Sequence, residues 1–285
     1  MCARGVEERL QTGPGGRGFG QAGTAPDTDR GRIQSQSQLY GYPLRSQEGT
    51  AMKRILVPTH GPEDWKHLLA QPDRHWKAGY SAMALAHCWE AAKGEFPPEV
   101  AGALKASRAP ELENLELLLA IPEFQVQLDG GARPSQTDLL VLARGGHGLV
   151  CIAIEGKVAE DFGPTLAAKR TESDGGVPAR LAQLHRVLDL PNPLPGEIRY
   201  QLLHRTAAAL LAAEKFAAAT AVMLVHSFSP NNAHFEDFKA FAEHLGVRAE
   251  VGVVHPARRE SLPNLFIGWC RGSERFLAPS ASNAV

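Results

Sequence analysis

Hydrophobic and polar positions along the chain fall into a short series of periodic stretches. The clearest is Thr137 to Val158, TDLLVLARGGHGLVCIAIEGKV, two apolar runs of strand length around Gly145-Gly146-His147-Gly148. Glycines there accept the positive φ that a tight reversal needs, so the stretch predicts a β-hairpin. Upstream, Trp76 to Ala92 carries apolar residues at helical spacing (Ala82, Leu85, Ala86, Trp89), with Ser81 as its expected cap. Pro98 opens a second short helix to about Ala106. In Glu111 to Ala120, Leu112, Leu115, Leu118 and Leu119 form one stripe, which predicts a third helix, and Phe124 to Leu128 alternates as a strand.

Beyond the hairpin, Arg180 to Leu190 and the Ala/Leu-rich Glu197 to Ala219 predict helices. Ala221 to Phe228 is a near-continuous apolar run, as expected for a strand covered on both faces. Phe235 to Leu245 is a helix stopped by Gly246, and Val247 to Val254 and Leu265 to Cys270 are expected as closing strands.

The hairpin also predicts a juxtaposition. With Arg144 opposite Leu149, Asp138 stands opposite Glu155 on one face, their Cβ atoms about 5 Å apart. Lys157, two residues on, shares that face, while Val150, Ile152 and Ile154 point the other way into a core. Two facing carboxylates repel unless a positive charge lies between them, and a divalent cation beside an ammonium would supply it. The plainer alternative is an ordinary strand-start Asp and an ion pair on a solvated sheet face.

This Asp-(x16)-Glu-x-Lys constellation on a hairpin resembles the catalytic motif of the PD-(D/E)XK nuclease superfamily, although Thr137 stands where the motif's proline would be. The resemblance implies an α/β, restriction-endonuclease-like αβββαβ core with a mixed central sheet and an added N-terminal helical part. It implies hydrolysis of phosphodiester bonds, with nucleic acid, DNA first, as the partner. Asp138 and Glu155 would hold Mg²⁺ or Mn²⁺, with the Gly156 carbonyl as a further oxygen and Glu116 as an extra acid delivered by the preceding helix. Lys157 would complete the catalytic set. From the helix after the catalytic strands, Arg199, Gln201 and Arg205 would meet the substrate, a guanidinium fork suiting a phosphate oxygen. A catalytically silent member that binds nucleic acid or protein is the alternative.

Composition narrows this only slightly. The 285 residues are 44% hydrophobic with a formal net charge of −1. The first 51 carry six Lys/Arg and five Asp/Glu, leaving 24 against 26 in the rest, which allows only a local basic patch for nucleic acid. No apolar run reaches the ~20 residues that span a bilayer. Cys2, Cys88, Cys151 and Cys270 show no zinc-ligand spacing, so reduced thiols in a cytoplasmic protein are expected. Residues 1–51, rich in Gly, Gln, Ser and Arg, are expected to be disordered. Residues 52–278 should form the nuclease-like domain, followed by a disordered tail at 279–285.

Overall fold

A computed structural model of the chain describes residues 59–131, 133–172, 175–190 and 193–278. The expectations for residues 1–51 and 279–285 therefore lie outside the described residues. Those described all belong to one unit, Gly49–Val285.

The order of elements is α1 (Pro72–His75), α2 (Ser81–Ala91), α3 (Pro98–Ala106), β1 (Glu116–Val126), β2 (Ser135–Gly145), β3 (Gly148–Lys157), α4 (Leu166–Arg170), α5 (Val177–Leu188), α6 (Tyr200–Lys215), β4 (Thr220–Ser227), α7 (Phe235–His244), β5 (Val253–Pro256) and β6 (Asn264–Arg271). The strands form one mixed six-stranded sheet in the order β1-β2-β3-β4-β6-β5. β1, β2 and β3 are antiparallel neighbours, β3, β4 and β6 run parallel, and β5 closes the edge antiparallel to β6.

The expected hairpin register holds. Arg144 pairs with Leu149 and Leu139 with Ile154, and the turn is tighter than four residues because Gly145 also pairs with Gly148. Gly148 adopts a φ of 110°, which a side chain would strain. Alternation along β3 then splits the sheet between two cores. Cys151 and Ala153 face α5, α6 and α7, while Val150, Ile152 and Ile154 face α2 and α3. β4, between two parallel neighbours and beneath helices on both faces, buries all eight of its residues. α7 ends in a Schellman closure, Val247 N–H to Ala242 C=O and Gly246 N–H to Glu243 C=O, with Gly246 at φ 72°.

Three expectations are corrected. The helix expected over Glu111–Ala120 is a turn of 3-10 helix at Pro110–Leu112 followed by β1, an eleven-residue strand. Its leucines satisfy a helical stripe, but the free edge of β2 takes the segment into the sheet, where Leu117 and Ala120 are buried. The strand expected at Val247–Val254 shrinks to β5, with Val251 making only an isolated bridge to Trp269. Ser81 does not cap α2. It is the first residue of that helix, and the Glu160 carboxylate accepts its N–H at 2.9 Å.

Candidate active site at the open end of the hairpin

β2 and β3 stop pairing backbone to backbone beyond Leu139 and Ile154. There the Gly156 N–H donates instead to Asp138 Oδ2 at 2.8 Å, so the carboxylate takes the place of a ladder carbonyl and the strand ends can part. Asp138 and Glu155 both lie on the face covered by α6, and the first two turns of that helix present Gln201 and Arg205 one turn apart.

Glu155 is 3% exposed, and donors hold both of its oxygens. Oε1 accepts from Lys157 Nζ at 2.8 Å and from Gln201 Nε2 at 2.7 Å, and Oε2 accepts from Arg205 Nε at 2.6 Å. Lys157 Nζ also donates to Gln201 Oε1 at 3.2 Å and lies 4.9 Å from the centre of the Phe162 ring. The Arg205 guanidinium reaches toward Asp138 Oδ1 at 4.0 Å and donates to Ser135 Oγ at 3.2 Å. The charge between the two carboxylates is therefore arginine.

A further acid, Glu123, not expected from the sequence, joins the site. In β1, Pro122 pairs with Leu139 and Phe124 with Thr137, which places Glu123 across from Asp138. Its carboxylate accepts from Gln136 Nε2 at 2.6 Å. In the sequence its only signal is Pro122-Glu123, between the expected helix and the expected strand. Glu116, expected near the metal, starts β1 opposite Arg144 and ion-pairs with it at 3.0 Å. Arg144 lies six positions along β2 from Asp138, about 20 Å, so Glu116 is not a site residue. Arg199, expected at the substrate, pairs with Asp237 at 3.1 Å and donates to the Gly163 carbonyl at 2.9 Å, tying α7 to the loop after β3. Asp138, Glu155, Gly156, Lys157, Gln201 and Arg205 do come together around one cavity of about 530 Å³.

Burial pushes the Glu155 carboxyl up, but the charges and hydrogen bonds of Arg205 and Lys157 outweigh it and hold the group at about 2. For Asp138, burial and then the Glu155 charge dominate, and its carboxyl rises to about 7. Burial and the Asp138 charge push Glu123 to about 8. A carboxyl raised on folding contributes stability while protonated. That contribution is present below its ordinary value near 4 and is lost as pH rises through the folded value. In EDTA, wild type is expected to lose stability from pH 6 to 9. Glu123→Gln should flatten that slope and be more stable at pH 9 by on the order of 1 kcal/mol. Thermal unfolding across that range checks this, and parallel curves for the two proteins would remove Glu123 from the site.

Glu160 lines the same cavity but is engaged structurally. Its Oε2 accepts the Val158 N–H at 2.7 Å while Oε1 holds Ser81, which pins the start of α2 to the end of β3. His204 bonds Ser135 Oγ through Nδ1 at 2.9 Å, and burial holds its ring well below the usual histidine range, in the neutral form. The Tyr200 hydroxyl on the cavity wall is buried without a hydrogen-bond partner among the described residues.

Across the sheet, the ligand-type atoms of Cys88, Glu99 and His226 lie within 4.8 Å of one another and could hold a metal ion. Their hydrogen bonds form a continuous chain. Trp89 Nε1–H donates to His226 Nδ1 at 3.3 Å, so Nε2 carries the ring proton toward Glu99 Oε1 at 3.1 Å, which also accepts from Cys88 Sγ at 3.4 Å. That tautomer is the reverse of one coordinating through Nε2. Cys88, Cys151 and Cys270 are free and buried. Among the described residues no helix is long and apolar enough to cross a membrane.

Residues 58–274 match a family described as a domain of unknown function (DUF6946). No curated protein and no solved structure matches the chain.

Proposed function

This chain belongs to the DUF6946 family, and from its site we propose a divalent-metal-dependent nuclease of the PD-(D/E)XK, restriction-endonuclease-like kind, acting on DNA. The observation that carries this is the meeting of Asp138, Glu155 and Lys157 at the open end of one hairpin, with Gln201 and Arg205 arriving from the following helix. The element order supports it. A helix precedes three antiparallel strands, and α6 then leads to β4 parallel to β3, as in an αβββαβ core, while α1 and α2 supply the extra N-terminal part.

The donor set suits a hard cation. Asp138, Glu155 and Glu123 offer only carboxylate oxygens, with Gly156 beside them, which favours Mg²⁺ or Mn²⁺ over zinc. The two raised carboxyls, and a Tyr200 hydroxyl without a hydrogen-bond partner among the described residues, are further signs of a site built for a ligand. A divalent ion there supplies Lewis-acid polarisation of a phosphoryl oxygen and a more acidic water. Glu155 and Gln201 fix the Lys157 ammonium, so it meets developing negative charge without reorganising. Phe162 keeps one side of that ammonium dry. Buried free thiols fit a reducing, cytoplasmic setting.

The second reading is a catalytically silent scaffold that binds nucleic acid or protein. It is favoured by the closed ion network around Glu155, whose oxygens are already occupied, and by the formal net charge of −1. Incubation with plasmid, single-stranded DNA and RNA separates the two. Cleavage in Mn²⁺ that EDTA abolishes is the expected result. Intact substrates in every metal, with retained binding, would leave the silent scaffold.

A further inference from the structure

We infer that Arg205 is the resident counter-ion of the metal site, and that it leaves the protein's own carboxylates for the substrate's phosphate when the cation binds. Metal and anion binding then reinforce each other. This rests on the metal-dependent reading above.

The guanidinium is 12% exposed and stands between the two carboxylates that would hold the ion, 2.6 Å from Glu155 Oε2 and 4.0 Å from Asp138 Oδ1. The other oxygen of Glu155 is taken by Lys157 and Gln201. The side of Glu155 facing Asp138 is thus the side Arg205 occupies. A dication held by those carboxylates would share a poorly screened place with a fixed positive charge, so one of the two must yield. Arg205 is the one able to move, because it hangs from α6 on a long stem, and Ser135 Oγ is its only other hydrogen-bond partner among the described residues.

The lining of the cavity supplies a destination. Five carboxylates (Glu123, Asp138, Glu155, Glu160, Asp161) face two permanent cations, Lys157 and Arg205. With Arg205 and Lys157 both held by Glu155, neither cation is available to a phosphate while the site is metal-free. Cation binding neutralises the carboxylates and frees a planar fork that pairs with two phosphate oxygens. Because the coupling is a single free energy, an anion that recruits Arg205 must also tighten the cation.

Calorimetric titration of the full chain with Mn²⁺, with and without saturating thymidine 5′-monophosphate, tests this in wild type, Arg205→Met and Arg205→Lys. In the absence of nucleotide, Arg205→Met should bind Mn²⁺ at least about tenfold more tightly than wild type. The nucleotide should tighten Mn²⁺ in wild type and do so much less in both variants, since lysine keeps the charge but lacks the fork. An Arg205→Met protein that binds Mn²⁺ no better than wild type overturns the inference and leaves the metal reading standing. If neither binds Mn²⁺, the metal reading itself fails and the inference goes with it. Should Arg205→Met not fold, arginine-labelled wild type serves. The Nε–H signal that disappears in Arg205→Lys should lose its protection from exchange on saturation with Mg²⁺. An unchanged signal while Mg²⁺ is bound overturns the proposal.

Discussion

Glu155→Ala is expected to lower the unfolding free energy by about 3–5 kcal/mol, the cost of leaving buried charges without their partner. Glu155 is the common acceptor for Lys157, Gln201 and Arg205, and the two cations are 6% and 12% exposed. Removing it takes from both buried cations the carboxylate they share. At roughly 2–4 °C per kcal/mol for a domain of this size, the midpoint should fall by about 6–20 °C. Glu155→Gln, which keeps an acceptor oxygen, should cost less. Urea unfolding in EDTA measures both. A loss under about 1 kcal/mol for the alanine variant is what a solvated pair gives, and would show that the network is open to water.

Lys157→Met is expected to reduce cleavage by about a hundredfold or more, the usual loss for a positioned group that meets charge in the transition state. The methionine is an unbranched side chain of similar length without the ammonium that sits over Phe162, and Arg205 and Gln201 continue to hold Glu155. Mn²⁺ affinity should therefore stay at the wild-type level or rise, since one competing cation has gone. Initial rates on the substrate cleaved by wild type, together with a Mn²⁺ titration, separate the two effects. Residual cleavage above about a tenth of wild type would take Lys157 out of the mechanism. Lost activity with lost metal binding would assign it to holding the site together.

The sequence by itself determined whatever depends on local period. Alternation across Thr137–Val158 set the β2–β3 register and with it the meeting of Asp138, Glu155 and Lys157, because a shift of one residue would turn every side chain to the wrong face. Helical spacing set α6, and the i,i+4 relation then brought Gln201 and Arg205 to the same carboxylate. Tertiary structure decided what period leaves ambiguous. Leu112, Leu115, Leu118 and Leu119 suit a helix, yet β2 has an edge to fill, and pairing there exchanged Glu116 for Glu123 as the third acid. It also decided partners that are remote along the chain. Arg199 went to Asp237, and Trp89, Glu99 and His226 joined across 127 and 137 residues, where no local pattern signals a contact. Above all it decided that arginine is the charge between Asp138 and Glu155. Sequence showed that two facing carboxylates need a cation, but only the packing of α6 over the sheet determines which one lies within reach.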